Sequence, residues 1–234
     1  MALPHDSARK QYSISFSAGV SAPLSAFGNK TNAIQPTVDS IRTMNSGYAN
    51  TGFYFRLSGS YLFTDYLGLR IAYSGSFNSF DIAGFSNANN LSSSDNVSAS
   101  KSFYTGQVLV GPYISISLSN KLTLEPVIMG GMIASSYPTI TVSNVSSGTT
   151  NTQTLSLHKG TTLGYDLGIS ANYTLSSNFT IGIHADYVRT DMHYPGYDFR
   201  DSWNTYYTTS SAIRMLTMAL LQAGVLVSYN FQAN

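Results

Sequence analysis

The feature that most constrains this chain is a hydrophobic pattern of period two, repeated along most of its length. Phe53, Phe55, Leu57, Gly59, Tyr61 and Phe63 alternate with Tyr54, Arg56, Ser58, Ser60 and Leu62. After Thr64-Asp65-Tyr66, a second run (Leu67, Leu69, Ile71, Tyr73, Gly75, Phe77) alternates with mostly small or polar residues in the same way. Successive side chains of a strand point to opposite faces, so each run reads as a strand with one apolar face, and the short break joins two of them as a hairpin. The same unit recurs around Ser119-Asn120-Lys121 and around Ser176-Ser177-Asn178, and single runs at 12–20 and 217–231 complete the set. The pattern therefore predicts eight strands. Three tight turns alternate with four long loops rich in Ser, Asn, Thr and Gly, at roughly 21–51, 81–102, 143–154 and 191–212. The predicted fold class is all-β: an eight-stranded antiparallel up-and-down barrel.

Composition decides which face of that barrel is wet. Only 10% of the 234 residues are charged, against about 25% in an ordinary soluble domain. In a soluble barrel the apolar row would point inward and a charged row outward. Here the polar row carries only Arg56, Arg70, Glu125, Asp166, His184 and Asp186 among Gly, Ser, Thr and Asn. So few groups, of mixed sign, cannot solubilise the surface, but they suit an interior where charges pair. The apolar rows therefore face lipid, and the barrel is predicted to be transmembrane. Each run reaches the roughly 9–11 residues that a tilted spanning strand needs. Aromatics sit at both ends of the outer rows: Tyr12, Tyr61, Phe63, Tyr173, Phe179, Tyr229 and Phe231 near the tight turns, and Phe53, Phe77, Tyr104, Tyr165 and Tyr187 near the long loops. Two such bands match the girdles at membrane interfaces.

Counting along the strands places Arg70 and Glu125 at similar depth near the tight turns, and Arg56, Asp166 and Asp186 higher, with His184 nearby. The expectation is a lower ion pair and an upper charged cluster. Leu216, Met218, Leu220, Gln222 and Leu226, with Tyr54, Phe103, Leu109, Tyr113, Met129 and Ile133, should fill the bore, since eight strands leave room only for side chains. By parity Ile140, Val142, Leu155 and Leu157 continue the outer rows past the membrane, predicting an extended hairpin arm.

The pattern resembles the small eight-stranded outer-membrane barrels of Gram-negative bacteria, the type that includes the membrane domain of outer-membrane protein A and its short adhesion-related relatives. The resemblance covers residues 11–231 and includes the last strand, Gly224-Val225-Leu226-Val227-Ser228-Tyr229-Asn230-Phe231. That strand is similar to the C-terminal aromatic signal read by the barrel-assembly machinery, although Gln232-Ala233-Asn234 follow it. The organisation implied is a flexible segment 1–10, a barrel at 11–231 with four extracellular loops, and a tail at 232–234. MALPHDSARK has no apolar signal segment, as expected of a mature form. The resemblance implies the cell outer membrane as location, and its lipid, including lipopolysaccharide, as a partner. It also implies a protein or glycan ligand at the loops, or subunits of a larger envelope complex. A wall-anchoring role is not expected, because no peptidoglycan-binding domain follows the barrel.

Chemistry is sparse. With no Cys there is no thiolate site, and the four His show no metal-ligand spacing. A net charge of +1 argues against nucleic acid. No cofactor is expected. A lipid A-modifying enzyme would need His, Ser and an acid together near the outer rim; His193 follows Asp191 there, but no Ser stands at short strand spacing. The alternatives to a non-enzymatic display or accessory barrel are therefore that enzyme or a narrow channel. The most distinctive loop is the fourth, with Tyr194, Tyr197, Phe199, Arg200, Trp203, Tyr206 and Tyr207. These residue types often anchor interfaces, so they form the candidate contact surface; equally, they could pack over the barrel mouth.

Overall fold

The computed structural model describes residues 11–32, 41–100, 102–146, 148–202 and 206–232, with the side chains of residues 41, 42, 146, 206 and 232 left aside. The segment 1–10 and residues 233–234 of the expected tail lie outside this range. In chain order the elements are β1 (Gln11–Leu24), α1 (Ser25–Gly28), β2 (Ile41–Met44), β3 (Gly52–Leu62), β4 (Leu67–Asn78), α2 (Ile82–Ala88), β5 (Asn96–Ser100) and β6 (Phe103–Ile114). They continue as β7 (Ile116–Ser117), β8 (Leu122–Ser136), β9 (Thr139–Ser146), β10 (Thr149–Leu157), β11 (Gly160–Thr174), β12 (Phe179–Tyr194), β13 (Tyr197–Asp201), β14 (Tyr206–Ser210) and β15 (Ile213–Gln232).

Eight long antiparallel strands form the ring β1-β3-β4-β6-β8-β11-β12-β15, and β15 closes it by pairing with β1 along the whole of β1. The stretch from Met215 to Phe231, the most apolar of the chain, lies within β15, and its alternating exposure is that of a strand rather than a spanning helix. The three tight turns share one construction. Thr64, Ser119 and Ser176 each accept, through the side-chain hydroxyl, the amide N–H three residues on, from Leu67 (2.8 Å), Leu122 (3.1 Å) and Phe179 (3.2 Å). The hydroxyl supplies a local acceptor that the bent backbone lacks.

The outward row is greasy and uncovered. Ile71 is 57% exposed, Ile128 62%, Ile183 64% and Val225 64%. Aromatic pairs mark both rims: Tyr12 stacks on Tyr61 and Phe179 meets Tyr229 edge-on near the tight turns, while Phe77–Tyr104 and Tyr165–Tyr187 contacts lie near the long loops. A continuous apolar band between two aromatic girdles, on a closed sheet with no free edge, is a transmembrane β-barrel.

Above the membrane the long loops are ordered into a second sheet, β14-β13-β10-β9-β5. The expected arm is its centre, the hairpin β9–β10. Its apolar row does not continue the lipid-facing one. Ile140 and Leu157 are buried, with Val142 and Leu155 packed against the same core. The strand breaks at Tyr137-Pro138, both buried, and alternation restarts on the other face; Pro138 has no N–H with which to continue the ladder.

Candidate functional site

The bore is built by the inward row of each strand. Arg56 on β3 crosses it to β11, where Nη2 lies 2.7 Å from Asp166 Oδ2, and Nη1 lies 3.2 Å from Asp186 Oδ1 on β12. His184 joins from below: its Nδ1 is 2.5 Å from Asp186 Oδ2 and its Nε2 hydrogen-bonds the Tyr54 hydroxyl. Gln222 Oε1 accepts weakly from Arg56 at 3.5 Å. All of these side chains are buried. The cluster is closely fitted to its walls. A Cβ on Gly224 would stand 2.7 Å from Tyr54 Oη, and one on Gly168 would overlap Asp186 Oδ1.

Nearer the tight turns, Arg70 Nη2 meets Glu125 Oε2 at 2.6 Å, Arg70 Nε donates to Ser60 Oγ at 2.9 Å, and the guanidinium stacks 4.6 Å from the Tyr113 ring centre. The lower pair and the upper cluster thus occupy different depths. In the sequence Tyr54 reads as filler only; it shares its face with Arg56 two residues on, which is the signal for its place in the hydrogen-bonded chain. A cavity of about 30 Å³, lined by residues that include Arg56, Arg70, Glu125, Asn172 and His184, lies between the two groups. That is room for a water or two, not for a solute.

Toward the long loops the bore is mixed: buried Ser74, Ser76, Asn78, Thr105 and Gln107 line the β4–β6 side, and apolar side chains line the side across from it. Above the Asp186–Gln222 rung, β12 and β15 carry Val188, Leu220, Met218, Met192 and Leu216 inward, all buried. An aromatic cap lies over them: Phe27 meets Phe103 edge-on at 5.0 Å, Phe103 meets Tyr137 at 4.9 Å, and Tyr137 meets Tyr194 at 5.9 Å. Tyr48, Phe80 and Phe85 extend the cap from the first and second loops. Burial pushes the Tyr48 phenol above its ordinary pKa, so it stays neutral, with its hydroxyl donating to the Asn32 carbonyl.

The fourth loop divides between the two roles considered for it. Tyr194 and Tyr197 are buried and Phe199 packs against the core, so these three belong to the cap and its surroundings and are not exposed contact residues. They alternate with residues that face outward: Arg200 stacks over exposed Tyr207 at 5.0 Å, and Asp198 lies 3.6 Å from His158. Trp203 and the side chain of Tyr206 lie outside the described residues. The outward face of the sheet is otherwise hydroxyl-rich, with the cross-strand pairs Thr139–Ser156, Thr141–Thr154 and Ser143–Thr152. His193 and Asp191 are both exposed, and Asp191 accepts a hydrogen bond from the Thr217 hydroxyl at 2.7 Å. Among the described residues no group of three or more His, Cys, Asp or Glu is placed to hold a metal ion.

No protein-family model matches the chain, and no curated protein matches it in sequence. Its shape does have counterparts. A major outer membrane protein of Thermus thermophilus superposes with a TM-score of 0.50 at 13% identity, over 95% of this chain and 99% of that one. The chain has the fold of an outer-membrane β-barrel. The barrel is also similar to OprG from Pseudomonas aeruginosa (TM-score 0.48, 11% identity, 97% and 98% covered) and to the attachment invasion locus protein Ail of Yersinia pestis (TM-score 0.44, 13% identity, 95% and 99% covered). A closed barrel with this apolar band is of the outer-membrane type, and that membrane is its compartment.

Proposed function

We propose that this is a non-enzymatic outer-membrane barrel whose work is done outside the cell, by the five-stranded sheet it carries above the membrane. The observation that supports this reading most is the division of labour along the molecular axis. The bore is filled with paired charges, buried hydroxyls and amides, and apolar side chains, which supports neither a channel nor a reaction chamber. The loops, by contrast, are folded into a sheet with a polar outward face, a scaffold suited to recognition. The partner is a protein or glycan on another surface, with lipopolysaccharide as the surrounding lipid.

The test is adhesion by cells displaying the full chain, compared with cells displaying a variant in which residues 139–157 are replaced by a short turn. Both are applied to surfaces coated with glycans and with matrix proteins. Binding should depend on the replaced segment. Equal binding by the two cell types would end the display reading, and a lipid A mass shift on expression would favour the enzyme instead.

A further inference from the structure

The inward face of the extracellular sheet changes character along its length. Near the barrel it is apolar and buried. Beyond Ile140 and Leu155 it carries side-chain amides: Asn144 and Asn151 face each other across β9 and β10, and Gln153 stands between Val142 and Asp201 on the neighbouring strands. The segment following α2 closes over this end with Leu91 and Asp95. Together these residues of the second, third and fourth loops line a cavity of about 390 Å³.

Resting on the display reading above, we propose that this cup is a binding site for a neutral saccharide. Its volume is within the range of small-ligand sites, about 300–1,000 Å³. The amides of Asn151 and Gln153 offer donors and acceptors to vicinal hydroxyls, while Leu91 and Val142 give apolar surface for the C–H face of a sugar ring. Asp95 is already held in place: it accepts from Asn144 Nδ2 at 2.5 Å, from the Ser92 amide at 2.7 Å and from the Ser92 hydroxyl at 3.0 Å. The same bonds, the one from Asn144 first, hold its carboxyl below the usual carboxylate range, so it is an anion at neutral pH. An anion at the cup accepts strong hydrogen bonds from sugar hydroxyls and disfavours sulfated or carboxylated sugars.

The experiment uses the full chain in lipid nanodiscs on an array of neutral, sialylated and sulfated glycans, followed by titration with the strongest neutral oligosaccharide. Wild type should retain neutral glycans. Asn151→Leu and Gln153→Leu should each weaken the titrated affinity about tenfold or more. Asn120→Ala, at an exposed tight turn at the other end of the barrel, should bind as wild type does. Heat-modifiable gel migration checks that every variant is folded. Failure of wild type to retain any neutral glycan, preference for anionic glycans or for amines, or unchanged affinity in both leucine variants would overturn the assignment. If cells still adhere through residues 139–157 while neutral sugars neither bind nor compete, the cup assignment fails and the display reading stands. If replacing that segment leaves adhesion unchanged, the display reading itself fails.

Discussion

Arg56 and Asp166 stand on strands at opposite sides of the ring, β3 and β11, yet their side chains meet at 2.7 Å on the barrel axis. The ion pair therefore braces the bore across its diameter. Arg56→Met would leave Asp166 and Asp186 buried without their counter-charge. The expected cost is about 3–5 kcal/mol of stability, read by urea unfolding in lipid vesicles. Adding Asp166→Asn and Asp186→Asn to that variant should recover much of the loss, because the uncompensated charge, not the missing contact, carries most of the penalty.

Gly168→Ala should disturb the same cluster from the wall. The added methyl would overlap Asp186 Oδ1 and press on Val127 Cγ1, 2.9 Å away. Overpacking of this kind costs about 1–3 kcal/mol. A matched Gly59→Ala change is the comparison, since its Cβ would meet nothing nearer than Ile71 Cγ2 at 3.7 Å. If Gly59→Ala cost as much, the fit around Asp186 would not be the cause.

The lipid-facing row is tested by Ile183→Lys. Ile183 and Val225 are cross-strand neighbours midway between the aromatic rims at Phe179 and Tyr187, both pointing outward. A lysine there should destabilise the barrel by about 2–4 kcal/mol, as charges at the bilayer midplane do. Ser98→Lys, exposed on the edge strand β5 of the second sheet, should be close to neutral.

Planar-bilayer recording should show no sustained wide opening, because buried apolar, hydroxyl and amide side chains fill the half of the bore toward the long loops. Long-lived stepwise currents from the purified full chain would contradict this packing.

The loops should show an acid response. Asp81 accepts from the Gly84 amide at 3.0 Å, capping α2, and pairs with Lys30 at 2.7 Å; these bonds, the amide first, hold its carboxyl below the usual range. A group whose folded pKa is lowered contributes stability that is fully present above its unfolded value of about 3.9, and that is lost as pH falls through the folded value. Protease sensitivity around α2 should therefore rise below about pH 4. Asp81→Asn should be more sensitive at neutral pH and lose the acid step.

Much of this architecture could be read from parity. Strand count, turn positions, the lipid-facing rows and the members of the bore follow from which side of each strand a residue occupies. Leu216, Met218, Leu220 and Leu226 read as lumen residues because Gln222 lies in their row. Parity fails where a strand is interrupted. Ile140 keeps the even number of the outer row, but the break at Tyr137-Pro138 turns it inward, and with it the whole face of the arm. The cup was not legible either, because Leu91, Asp95, Asn151 and Asp201 come from three loops whose meeting depends on long-range packing. The burial of Tyr194 and Tyr197 has the same origin: the aromatic content was visible, but not which rings the mouth of the barrel would take up.

The seam between β1 and β15 governs how such a molecule can be made. A nascent chain that lacks β15 is an open ribbon with two raw margins, and backbone groups left unpaired in hydrocarbon are heavily penalised. Insertion and closure must then be a single event that waits for the carboxyl-terminal segment. A chain cut short within β15 should end as a substrate for periplasmic proteases, not as a smaller barrel.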